Sequence, residues 1–186
     1  MRITKAKRQE NHDRIVLIAA RMFREKGFDG VAVADLMEQA GMTHGGFYNH
    51  FASKEALMAE AAALGFADTA ARYAGVPMAE VIDAYISRPH RDARGQGCPA
   101  AALSGEAARL ADDTRAAFGD GIAGMIAALQ GGLDGVPRAK AISLLAQAVG
   151  AVVLSRACPD DAPLADEILT TCRADCHAML APGAAG

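Results

Sequence analysis

Apolar residues recur at intervals of three and four along the chain and no stretch alternates apolar with polar, so the pattern predicts helices throughout. Ile15, Ile18, Ala19, Met22 and Phe23 form one stripe, Arg14, Arg21, Arg24 and Glu25 turn outward, and Gly27 supplies a left-handed stop. Val33, Leu36, Met37 and Ala40 repeat the pattern over a shorter length that Gly41 ends, although Ala32 is a poor N-cap for it. Thr43 is placed to cap a third helix with Phe47 and Phe51 facing inward, and Ser53 a fourth that opens Lys54-Glu55-Ala56-Leu57 and runs to about Gly75. Pro77, Pro99, Pro137 and Pro163 each suit a first helical turn, where a missing amide loses nothing. Further helices are predicted over roughly 77–87, 99–110, 114–131, 137–157 and 163–180, with Arg94-Gly95-Gln96-Gly97 a loop and Ala181 to Gly186 a frayed tail. The expected fold is all-α with about nine helices: a three-helix unit with a helix-turn-helix over 1–52, then a helical bundle over 53–186.

The segment Ala141 to Ser155 carries no charge and is apolar on nearly every face, yet it is short for a membrane span. Such a helix needs cover on both sides. One side can pack on its own bundle, and Ala148, Gly150, Ala151 and Ser155 are small enough to let a partner helix come close. The expectation is a symmetric homodimer through the 137–157 and 163–180 helices, the alternative being the central core helix of a monomer.

Charge changes this picture of a plain bundle. The net charge is −3, but residues 1 to 26 hold eight Lys or Arg against three acids, which makes a basic arm on an acidic body. That distribution suits a protein that touches phosphate at one end only. No 18-residue charge-free apolar stretch exists, so no membrane partner is expected and the expected location is cytoplasmic. Four cysteines without CxxC spacing fit a reducing compartment.

The run Gly41-Met42-Thr43-His44-Gly45-Gly46-Phe47-Tyr48-Asn49-His50-Phe51-Ala52-Ser53-Lys54-Glu55-Ala56-Leu57 carries the most specific signal. A helix that enters the major groove by its N-terminal end needs small or polar residues there, and Thr43, His44, Gly45 and Gly46 are such residues. Each helical glycine costs about 1 kcal/mol against alanine, a cost that close approach of the backbone to a base or phosphate explains. In this register, with Ala20, Phe23, Gly27, Phe28, Asp35 and Ala40 before it, the run resembles the recognition region of TetR-family transcriptional regulators. The resemblance covers about the first third of the chain and implies an operator-binding dimer, commonly a repressor, that a small signal releases. It implies base-edge contacts from His44, Gly45 and Gly46, with Thr43 in the same turn, and contacts to phosphate or adjoining bases from Tyr48, His50 and Lys54. Ala32 departs from the pattern, where a hydroxyl is usual.

In the second unit, Cys98 precedes Pro99 at a helix start, with Arg88, His90, Arg91 and Arg94 nearby and glycines on either side. That setting predicts a mobile, open loop and a reactive thiol that meets oxidants or electrophiles; the plainer reading is a small buried hydrophobe. The sequence around Cys98 is also similar to that of electrophile-sensing members of the family. The competing sensor is a pocket for an apolar molecule, with Phe66, Tyr85, Phe118 and Met125 as its lining, and Tyr73 among the further candidates. Cys172 and Cys176 beside His177 read as a core or interface stripe before a metal site. No catalytic residue, cofactor or metal is expected, because no nucleophile–base pair or phosphate loop is present. A DNA-binding scaffold without a ligand remains the rival to a regulator.

Overall fold

The computed structural model describes residues 4–133 and 136–180, so the tail expected over 181–186 lies outside the described residues. Nine α-helices form among the described residues: α1 (Lys5–Lys26), α2 (Val33–Gln39), α3 (Lys54–Tyr73), α4 (Met78–Tyr85), α5 (Arg88–Asp92), α6 (Pro99–Ala107), α7 (Asp112–Gly132), α8 (Arg138–Ala157) and α9 (Pro163–Leu180). Short 3-10 helices cover His44–Asn49 and Arg94–Gln96.

Local chemistry sets most of these boundaries. Thr4 caps α1 by accepting from the Lys7 amide at 3.2 Å, and Gly27 ends it at φ +78°. Gly41, at φ +67°, follows α2, which starts at Ala32 without a side-chain cap. Ser53 accepts from the Ala56 amide at 3.2 Å and opens α3. The third predicted helix is a 3-10 helix rather than an α-helix, and Thr43 makes no side-chain cap bond there. Six residues that include Gly45 and Gly46, held between Gly41 and Ser53, lack the length and propensity for a regular α-helix. The sequence reading also missed α5, which Ser87 caps by accepting from the His90 amide.

A continuous apolar core joins the N-terminal head to the bundle. Phe23 packs on Phe28 with ring centroids 5.1 Å apart, Phe28 on Phe118 at 6.3 Å, and Phe118 edge-on to Phe66 at 5.4 Å. Four aromatic rings thus form a column across the seam between head and bundle.

On α8 two of the four small residues serve a neighbour within the chain. Ala151 and Ser155 are buried inside the chain, and the Ser155 hydroxyl donates to the Ala165 carbonyl at 2.8 Å, so they bring α9 close. The outer face of α8 instead carries Ile142, Ala146, Val153, Leu154 and Ala157, all exposed and none charged. This helix is long and apolar enough to cross a membrane by length and composition, with one-third of its apolar stretch buried inside the chain.

Candidate nucleic-acid interface and ligand cavity

Two aromatic anchors orient the segment His44–Asn49. Phe47 and Phe51 are buried with centroids 5.4 Å apart, which fixes one side of the turn against the core of the head. The opposite side therefore faces solvent: Thr43, His44 and Gly45 are exposed, and Tyr48 stands out with 68% of its surface accessible. Gly46 is half-buried. A methyl group at Gly45 would meet nothing within 4 Å, and at Gly46 the end of Met37 at 3.5 Å and the Thr43 hydroxyl at 3.7 Å, both ordinary contacts. Neither glycine has a positive φ, so the fold of the chain itself does not require them.

The remaining head residues sit at the rim of this face. Arg8, from the basic arm, donates to the Asn49 carbonyl at 2.7 Å and brings its guanidinium to the turn, a place that its share of the arm's charge does not by itself announce. His50 is half-buried, its pKa lowered by burial first and then by His12 and Arg8, and its Nδ1 has no partner among the described residues. His12 stacks on Phe51 at 4.5 Å, with Nε2 3.3 Å from a Glu60 carboxylate oxygen. Lys54 does not point free: its ammonium donates to the Phe28 carbonyl at 2.7 Å. That bond offsets the unfavourable position of a cation at a helix start, the feature that sequence reasoning explained by an outside phosphate.

Within the bundle, α3, α4, α7 and α8 border a cavity of about 580 Å³ that opens partly to solvent. Tyr85 and Met125 line it, as does Tyr73, whereas Phe66 and Phe118 do not. The correction has a geometric cause. Phe66 precedes Tyr73 by seven residues and Phe118 precedes Met125 by seven, a spacing that returns to the same helix face two turns away. Phe66 and Phe118 thus belong to the aromatic column nearer the head. Among the described lining residues none is charged, and the polar ones are Thr69, Tyr73 and Tyr85.

Cys98 lies behind this wall. It is 2% exposed, and its Sγ is 3.7 Å from the sulfur of Met125. Its amide donates to His90 Nε2 at 3.1 Å, so the His90 proton sits on Nδ1, which donates to the Tyr85 carbonyl at 2.6 Å. The loop expected to be mobile and open is closed: Gly95 is buried against Glu25, and Arg24 bonds its carbonyl. Arg91 is committed elsewhere, 2.6 Å from Asp92 and 2.9 Å from Asp160. Cys176 is buried and its thiol is pushed up to about 11, by burial first and then by Cys172. His177 pairs with Asp83 at 2.8 Å, and among the described residues no three His, Cys, Asp or Glu side chains gather as metal ligands would.

Comparison with known proteins places this geometry among relatives. Residues 15–61 match the family described as bacterial regulatory proteins, tetR family. Over 100 residues the chain is 33% identical to the HTH-type transcriptional repressor DhaR of Mycobacterium sp. (strain GP1), covering 50% of this chain and 50% of that protein. The chain spans half or less of the length of the curated relatives it matches. The reduced form of E. coli NemR has the same fold, with a TM-score of 0.73 and 24% identity over 94% of this chain and 99% of that one. AibR in complex with isovaleryl coenzyme A and operator DNA gives a TM-score of 0.59 at 19% identity, over 89% of this chain and 97% of that one.

Proposed function

Because residues 15–61 match the tetR family of bacterial regulatory proteins, we propose that the chain is a transcriptional repressor of that family that binds palindromic operator DNA as a homodimer and is released when a small apolar molecule enters the bundle cavity. One observation carries this reading: α3 starts at Lys54 beside the exposed His44–Asn49 turn and ends with Thr69 and Tyr73 in the cavity wall. A single rigid helix thus spans both sites, and two ligands that favour different positions of one element weaken each other by linkage.

The DNA face follows from exposure. Thr43, His44, Gly45 and Gly46 enter the major groove, His44 reading base edges, while Tyr48, Arg8, His50 and Lys54 meet the flanking phosphates. Open space around Gly45 supports this, since the glycine has no internal reason. The uncharged outer stripe of α8 supports the dimer, which must set two recognition turns roughly 34 Å apart to read a palindrome. A bacterial regulator that binds the chromosome works in the cytoplasm.

Burial favours a non-covalent occupant of the cavity over direct attack at Cys98, whose Sγ is covered and lies against the Met125 sulfur. AibR, solved with isovaleryl coenzyme A and operator DNA, is a neighbour in fold that holds both kinds of partner. A ligand-free DNA scaffold gives no role to an apolar cleft of about 580 Å³ between its helices.

The test is analytical ultracentrifugation of the purified chain with duplexes from its own upstream region, with and without apolar small molecules and a mild oxidant. Two chains per site and release by a non-oxidising ligand are expected. A monomer that ignores every duplex at low salt overturns the proposal.

A further inference from the structure

The cavity assigned above to an effector has two ends, and they are built differently. Helical residues seven apart return to one face two turns on, roughly 10 Å along the axis. Tyr85 and Met78 stand so on α4, Met125 and Gly132 on α7, and all four line the cavity. At one end Tyr85 and Met125 both lie against the Cys98 thiol, the Met125 sulfur at 3.7 Å. At the other, Met78 of α4 reaches Gly132 of α7. The space is therefore a chamber about two helical turns long that lies along α7.

The inner end is fixed. The Tyr85 ring is buried and packs at 4.5 Å on His90, which the Tyr85 carbonyl and the Cys98 amide hold in place. Buried Cys98 backs Met125 in turn. The outer end has no such backing. Met78, half-buried, is the first residue of α4, and Gly132, exposed, is the last of α7. A methyl group built on Gly132 would stand 2.8 Å from the Met78 methyl, closer than side chains tolerate, and would meet nothing else within 4 Å among the described residues. Gly132 has no positive φ, so its backbone does not call for glycine. The thioether tip takes the place of the missing side chain, and an unbranched chain with three rotatable bonds leaves such a seat at little strain.

We propose that Met78, seated on Gly132, is the specificity-determining stop of this cavity and sets the length of the uncharged, elongated apolar molecule that fits along α7. The inference rests on the cavity being the effector site. An anion or cation finds no counter-charge among the described lining residues and gives up its hydration without return. Each further methylene inside the chamber strengthens binding by the apolar surface it buries. A chain long enough to touch the thioether gains nothing more until that side chain moves.

Calorimetric titration of the full chain with straight-chain 1-alkanols, from butanol to dodecanol, tests this. Affinity for the wild-type chain is expected to rise about fourfold per added methylene and then to stop rising at a definite length. In Met78→Ala the rise continues for at least two further carbons. In Val81→Ala, which trims the side of the same chamber, the break stays at the wild-type length. Carbon-13 labels on the methionine methyl groups give a second readout, with Met78 assigned from the volume-conserving Met78→Leu. The Met125 signal shifts with every alkanol that binds, and the Met78 signal only from the break onward. A series without a break, a break that Met78→Ala leaves in place, or a Met78 signal that ignores the break overturns the role of Met78 and leaves the cavity reading standing. If no alkanol saturates, the cavity reading falls and this inference with it. Should Met78→Ala fail to fold, the wild-type break and the two methyl signals decide the matter.

Discussion

The Arg24 guanidinium holds the Gly95 carbonyl with two nitrogens, Nε at 2.9 Å and Nη2 at 2.7 Å. Arg24 lies in the last turn of the first helix of the head, and Gly95 lies in the strap that leads to Cys98 and α6. A second bond crosses the same seam, where Glu106 accepts from the Phe28 amide at 2.8 Å. Removing the first clasp by Arg24→Ala is expected to destabilise the chain by about 1.5–3 kcal/mol, the range for hydrogen bonds to charged groups. Urea denaturation measures this. The same variant should weaken the effect of a cavity ligand on DNA affinity, because one tie between the two regions is gone.

Gly45→Ala separates fold from function. Its new methyl meets nothing within 4 Å and its backbone is not left-handed, so stability should hold or rise by up to about 1 kcal/mol. DNA affinity should fall by tenfold or more, because the methyl then occupies space next to the bases. An unchanged dissociation constant in fluorescence anisotropy would remove Gly45 from the interface.

Contacts to phosphate and to bases differ in salt dependence. Arg8→Ala is expected to lower affinity for every duplex alike and to reduce the slope of log affinity against log salt by about one. Lys54→Ala should do the same and also lower stability, since the Phe28 carbonyl loses its donor. His44→Ala is expected to change which base pair is preferred, and equal loss on all sequences would count against its assignment.

Histidines give a pH dependence of definite sign. Burial lowers the pKa of His90, with Arg156 and Arg72 adding to it against the bond to the Tyr85 carbonyl, and lowers that of His50 as well. In each case the unfolded chain binds the proton more readily than the folded one. Stability is therefore full above the unfolded value of about 6.5 and declines as pH falls below it toward the folded value. Thermal melting should show a loss that begins near about pH 6.5 and grows as pH falls, and His90→Gln should flatten that slope. A phosphate near His50 reverses the effect locally, so DNA should bind more tightly as pH falls through the same window.

Leu154→Glu addresses the dimer. Leu154 is 58% exposed on the outer stripe of α8, so a charge there leaves the monomer fold intact. Sedimentation should shift from two chains to one, and operator affinity should drop with it.

The readable parts of this chain were those set by local chemistry. Gly27, Gly41 and Ser53 act over three or four residues, and each stands where the spacing of apolar positions placed it. The exposed face at His44 and Tyr48 was legible for the same reason, because Phe47 and Phe51 declare which side is inward. What the sequence hid depends on distance along a helix axis. Phe66 and Tyr73 share a face of α3, and only the packed bundle shows that one meets the head and the other a void. Likewise, a stripe of small residues on α8 declares close contact without saying whether the neighbour is α9 or a second chain.

A rod of 20 residues is roughly 30 Å long, and α3 is such a rod, embedded in both regions at once. Leverage follows from its length. A tilt of about five degrees about the cavity end displaces the other by roughly 2–3 Å, several times the tolerance of a hydrogen bond to a base edge. In the mechanism proposed above, an effector therefore need not melt or reorder anything to free the operator; a nudge too small to disturb the packing of its own chamber would be enough to throw both reading heads out of step with the groove.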